Sequence, residues 1–157
     1  MITTTRTLRH LALAGGLLAL AACGDDGGGG EGAGGAGSAR GVVEAHVAAS
    51  KRYDLAGACE LLVPARRAEM AAFDGAEVDG YCTTATEEIV ANATPEARDR
   101  TKGIYTGAEI APVEREGGTW FRVEAADESY HEDIRVVEVD GRWWIAEVEG
   151  EVDDHGH

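Results

Sequence analysis

Few side chains in this 157-residue chain are suited to moving a proton, and they are scattered. His131 and Asp133 stand two apart in Tyr130 to Val139, a stretch that reads as a strand, so both project from one face. An imidazole beside a carboxylate is the pairing used in general acid–base catalysis, provided that burial tunes it and that the transferred proton is within hydrogen-bond reach. The same spacing also describes the exposed polar face of an edge strand, which is the plainer reading. His46 falls on an apolar helical stripe, where an imidazole is more often a hydrogen-bonded core residue than a catalyst. The segment Asp153-Asp154-His155-Gly156-His157 carries donors that suit zinc, nickel or copper. Two histidines two apart on a polar tail make an incomplete site, so no metal is expected. Trp143 and Trp144 are able to stack a ligand, although aromatic strand residues usually pack a core. No nucleophile elbow, P-loop, dinucleotide fingerprint or zinc-protease motif is present. That weighs against a hydrolase or kinase, and no cofactor is expected.

The elements that would position these residues begin after a leader. Met1 to His10 holds Arg6 and Arg9 and no acid, and Leu11 to Leu20 is built from Leu, Ala and Gly. A basic start, a short apolar run and small residues at its end describe a secretory signal peptide over residues 1–22. The run is well short of the ~20 apolar residues needed to span a bilayer. Its end, Leu20-Ala21-Ala22-Cys23, resembles the lipobox of bacterial lipoproteins. The resemblance implies a diacylglyceryl group on the Cys23 sulfur and cleavage just before that residue. Each buried CH₂ contributes roughly 0.8 kcal/mol, so two or three acyl chains anchor stably where one does not. The expected location is the extracytoplasmic face of the cell membrane, with the bilayer as first partner through Cys23.

The chain has 14 basic and 29 acidic residues, a net charge of −15. Removing residues 1–22 takes away Arg6 and Arg9 and no acid, so the mature protein is more negative still. Nucleic acid is excluded as a partner, because phosphate recognition needs clustered Lys and Arg. Adhesion of the protein surface to anionic lipid is opposed by like charge. With Cys23 committed to lipid, Cys59 and Cys82 are left as an even pair in a compartment that permits disulfides, and a bridge between them is expected. Neither has the CxxC or histidine neighbours of a zinc site. Residues 23–38 comprise the lipidated cysteine and a Gly-rich stretch with almost nothing to bury, a flexible tether.

Residues 39–150 then read as one α+β domain, helices first and strands after. Ala39 to Tyr53 is a helix with Val43, His46, Val47 and Ser50 on one stripe and Val42 and Ala49 beside it. Asp54 caps a second helix, Leu55 to Leu62, and Pro64 opens a third, to Phe73, with Met70 and Phe73 inward. Asp79 to Ala91 is a further helix, and Pro95 to Thr101 a short polar one. Four strands are expected: Ile104 to Glu114, with Pro112 suiting an edge; Thr119 to Ala126; Tyr130 to Val139, with a phase shift at Val136-Val137; and Arg142 to Glu149. In the last, Trp143 and Ile145 are expected to face opposite to Trp144, Ala146 and Val148. Asp140-Gly141 signals a type I′ turn. Residues 151–157 are a polar tail.

Two stretches carry a second resemblance. Tyr53-Asp54-Leu55-Ala56-Gly57-Ala58-Cys59-Glu60-Leu61-Leu62, followed by Pro64 and Arg66-Arg67, resembles a segment of exported actinobacterial proteins with an NTF2-like (nuclear transport factor 2-like) fold. Val139-Asp140-Gly141-Arg142-Trp143-Trp144-Ile145-Ala146 is similar to their closing hairpin. The family's glycine before the aspartate is Tyr53 here. The resemblance implies a cone: helices packed on a strongly curved, mainly antiparallel sheet, with a pocket at the open end. A cysteine pair joining the second helix to a later one is similar to the bridge expected between Cys59 and Cys82. Enzymes of that fold, such as ketosteroid isomerase and scytalone dehydratase, place Asp, His and Tyr in the cone. The candidates on this sequence are His46, Tyr53, Tyr105, Tyr130, His131 and Asp133, and no family motif assigns any of them a catalytic role. The expected function is therefore a membrane-anchored lipoprotein whose domain binds an envelope protein or a small apolar ligand without catalysis. The alternative is a small lyase or isomerase acting in the cone pocket.

Overall fold

A computed structural model describes residues 35–152. The signal peptide, Cys23, the tether up to residue 34 and the tail residues 153–157 lie outside the described residues. Five helices precede four strands: α1 (Ala39–Lys51), α2 (Leu55–Glu60), α3 (Pro64–Asp74), α4 (Tyr81–Asn92), α5 (Pro95–Tyr105), β1 (Glu109–Val113), β2 (Thr119–Glu124), β3 (Tyr130–Val139) and β4 (Arg142–Val152). The sheet is antiparallel throughout, in the order β1-β2-β3-β4. The fold is α+β, as the segregation of helices and strands along the chain predicts. None of the described helices is long and apolar enough to cross a membrane.

Local chemistry accounts for most boundaries. Ser38 accepts from the Gly41 amide at the start of α1, and Asp54 accepts from the Gly57 amide at 2.9 Å at the start of α2. Each satisfies one of the amides that a helix start leaves unpaired. Tyr53, between those two helices, has φ +59°, the left-handed region where glycine is at ease. Asp140 and Gly141 have φ +53° and +76°, as a type I′ turn requires.

Val42 and Val43 of α1 pack against Phe121 and Val123 of β2, Ile134 and Val136 of β3 and Ile145 of β4. Each such side chain taken out of water contributes about 1.5–3 kcal/mol. Trp143 packs against this core from its rim, while Trp144 is buried beside the Arg67 guanidinium, 5.7 Å from its ring. A second cluster joins Ala71, Tyr81 and Cys82 to Cys59 and Met70. Cys59 and Cys82 form a disulfide with Cα atoms 5.5 Å apart. The open edge of β4 is covered: Ala36 and Trp143 exchange backbone hydrogen bonds at 3.0 and 2.9 Å, and Ile145 bonds to Leu61 and Val63. Ala36, assigned to the tether on composition, thus lies against the sheet.

The structure corrects several local expectations. Ile104 and Tyr105 belong to α5, because Thr94 caps that helix, Pro95 occupies its first turn and Gly103 does not interrupt it; β1 begins only at Glu109. Phe73 is not inward. Ala71 is buried, and Phe73 lies two residues on, some 200° around the helix. The irregularity near Val136 belongs to β4: Arg135 pairs with Glu147 and Val136 with Ile145, so Ala146 is the extra residue. It turns Val148, which pairs with Ile134, back to the side of Ile145. Finally, β3 is an inner strand, not an edge.

Candidate functional site

The most confined polar group lies on β3. Glu132 is in phase with Ile134 and Val136 and so points to the helix side of the sheet, where it is 2% exposed. A carboxylate so buried requires donors, and three converge on it. Tyr105, at the end of α5, donates to Oε2 at 3.0 Å. Tyr130, two residues back on the same strand, donates to the same oxygen at 3.1 Å. His46, from α1, places Nε2 3.1 Å from Oε1. The rings of His46 and Tyr105, and of Tyr105 and Tyr130, meet edge to face with centroids 6.1 and 6.5 Å apart.

The electrostatics follow from burial beside a negative charge. Desolvation, reinforced by the Glu132 charge, pushes the Tyr105 hydroxyl far above the ordinary phenol range. Desolvation, again with the Glu132 charge, pushes Tyr130 up to about 12. Both phenols therefore keep their protons at neutral pH and act as donors rather than bases. With both tyrosines donating, the carboxylate takes its third donor from the His46 ring. A carboxylate only accepts, so Nε2–H points at Glu132. Nδ1 is buried and has no hydrogen-bond partner.

His46 is the member of this group that reaches a cavity. It lines an open cleft of about 740 Å³, whose apolar wall includes Leu62, Val63, Met70 and Val148, and whose charged wall includes Arg66, Glu69 and Arg135. Glu132, Tyr105 and Tyr130 lie behind His46 and do not line the cleft. The arrangement fixes one imidazole at the cleft wall, bonded to a carboxylate that two phenols also hold.

Of the six residues singled out from sequence, the structure brings His46, Tyr105 and Tyr130 together. Tyr53 stands apart, under the Arg98 guanidinium at 5.7 Å. His131 and Asp133 share a face, as their spacing predicts, but it is the other face of the sheet. There Asp133 accepts two hydrogen bonds from Arg122, at 2.8 and 3.0 Å, and one from Arg115 at 3.0 Å. Arg115 also pairs with Glu149 and lies 4.2 Å over the Trp120 ring. His131 faces Glu151 at 3.7 Å. This ladder holds neighbouring strands in register, and neither His131 nor Asp133 lines the cleft.

Glu132 was missed because an acid inside a charged run reads as surface. One signal was present: Ile134 and Val136 set the inward phase of β3, and counting back by two reaches Glu132 and then Tyr130. A further residue without an obvious signal is Gly150, which pairs with Glu132 across the strands. A Cβ there would stand 2.6 Å from the Tyr130 hydroxyl, so the glycine makes room for the bond to Glu132.

No family model, curated protein or solved structure matches the chain. Among the described residues, no three His, Cys, Asp or Glu side chains are grouped to hold a metal ion.

Proposed function

We propose that this protein is a lipoprotein anchored through Cys23 at the outer face of the cell membrane, with an NTF2-like cone that takes up a small, largely apolar ligand without transforming it. The observation that carries the reading is the position of Glu132. Its carboxylate is engaged by three donors and stands behind His46, away from the cleft. An acid held in this way fixes the shape of the cavity wall and has no route to a substrate proton. The mixed lining of the cleft suits an apolar body with one or two polar groups. The Cys59–Cys82 bridge fits the oxidising side of a membrane.

The test is titration with an uncharged naphthylamine fluorophore. Wild-type protein should bind it, and Ala146→Trp, which fills the cleft from β4, should not, with the thermal transition retained. Equal binding by both forms would place the ligand elsewhere. The anchor is tested separately: mass spectrometry of the N-terminal peptide should find acyl chains on Cys23, and Cys23→Ala should leave the detergent phase.

One observation favours the alternative of a lyase or isomerase. His46 lines the cleft, its Nε2 is held by Glu132 and its buried Nδ1 has no hydrogen-bond partner, so a ring movement that opened Nδ1 to the cleft would give an oriented general base. Nitrogen-15 spectra of the imidazole decide between the two. A base serving the cleft must show Nδ1 shifting when a hydroxyl-bearing ligand occupies it, whereas a structural histidine keeps its spectrum.

A further inference from the structure

The residue that departs furthest from its expected place is Phe73. On sequence it belongs to the inward stripe of α3; in the structure it is 93% exposed on the last turn of that helix. A few residues on, Val78 is also exposed. A phenylalanine ring left almost wholly in water on a folded helix is the kind of side chain that anchors an interaction surface.

Arg66 and Glu69, which pair with each other, line the cleft beside Phe73, and on the α4 side the surround is acidic. The ring borders a cleft of about 460 Å³ shared with Met70 and Asp74, and Asp74 also borders a second cleft of about 400 Å³ on the α4 side, together with Glu77 and Asp79. Asp74 accepts a hydrogen bond from the Tyr81 hydroxyl, and that bond raises the phenol's pKa so that Tyr81 keeps its proton. Glu77 and Asp79 form no ion pair among the described residues. The disulfide ties Cys82, next to Tyr81, to α2, which anchors the far end of the segment.

We propose that the end of α3 and the loop to α4 form a docking surface for a basic, apolar segment of a partner protein. Phe73 and Val78 supply the apolar anchor, and Glu77 and Asp79 the unpaired charge. Charge selects this occupant. An anionic membrane meets the same sign of charge, and a second copy would set this acidic rim against its own twin. A cationic amphipathic segment satisfies both features at once. This surface is separate from the His46 cleft, so the inference stands or falls independently of the ligand proposed for that cleft.

The experiment uses the exported full chain carrying Cys23→Ser, so that no detergent is needed. The probe is a synthetic Leu/Lys amphipathic helix of about 14 residues, four helical turns. Binding is followed by calorimetry and by backbone amide shifts. Wild-type protein should bind the probe, with shifts centred on Phe73 and Val78 and affinity that falls as salt rises. Phe73→Ser and the double variant Glu77→Lys/Asp79→Lys should each weaken binding at least tenfold while the melting transition stays in place. The proposal is overturned if the probe does not bind, if either variant binds as well as wild type, or if a Leu/Glu peptide of equal hydrophobicity binds equally. Phe73-dependent binding to anionic vesicles, or Phe73-dependent self-association, in place of peptide binding also overturns it.

Discussion

Gly150 leaves the space that the Tyr130 hydroxyl occupies on its way to Glu132. A Cβ at position 150 would come within 2.6 Å of that hydroxyl. Gly150→Ala should therefore push Tyr130 off the carboxylate, at a cost of about 1–3 kcal/mol for the disrupted buried bond. Tyr130, raised to about 12 by burial and by the Glu132 charge, should titrate closer to an ordinary phenol once it moves. Tyrosinate absorbance against pH and chemical denaturation check the two effects. An unchanged titration curve would show that the ring tolerates the methyl group.

Removing the Glu132 charge tests the whole cluster. Glu132→Leu strands two phenols and an imidazole around an apolar side chain and should cost about 3 kcal/mol or more. Glu132→Gln keeps an acceptor for the tyrosines and should cost less. In the glutamine variant Tyr105 and Tyr130 lose the negative neighbour that helps raise them, so both should ionise at lower pH than in wild type. Denaturation and tyrosinate titration on the two variants provide the comparison.

The outer face of the sheet supplies the acid sensitivity. Hydrogen bonds from Arg122, aided by the charges of Arg122 and Arg115, hold the Asp133 carboxyl below the ordinary carboxylate range. A depressed folded-state pKa means that the charged form is favoured by folding. The stabilisation is complete above the unfolded-state value and is lost as pH falls through the folded one. Asp133→Asn should lower the melting temperature at neutral pH, and its gap to wild type should close as pH falls below the ordinary aspartate range. A constant gap across that range would rule this account out.

The disulfide closes a loop with a sequence separation of 23. On the chain-entropy account, a loop of that length contributes about 3 kcal/mol. Thiol labelling of unreduced, denatured protein should find neither Cys59 nor Cys82. The double variant Cys59→Ser/Cys82→Ser should lose stability of that order, with hydrogen exchange accelerating first in α3 and α4, whose cluster the bridge joins.

Local rules made much of the architecture legible. The spacing of Val42, Val43 and Ala49, the cap at Asp54, the prolines at 64 and 95, and Asp140-Gly141 each act within a turn or two of the chain, so one sequence is enough to read them. The pairing of Cys59 with Cys82 followed from parity and compartment. Sequence alone also determined the strong acidity and carried the lipobox resemblance at Cys23, which concern chemistry that no packing alters. Only tertiary structure decided that His46, Tyr105 and Tyr130 meet on Glu132, since they come from α1, α5 and β3, and that convergence depends on how helices lie on a sheet. It also decided that Phe73 faces water, because the helix could turn either Ala71 or Phe73 inward, and only its neighbours in space made the choice. Periodicity identifies a face; what that face meets is set by contacts distant in the chain.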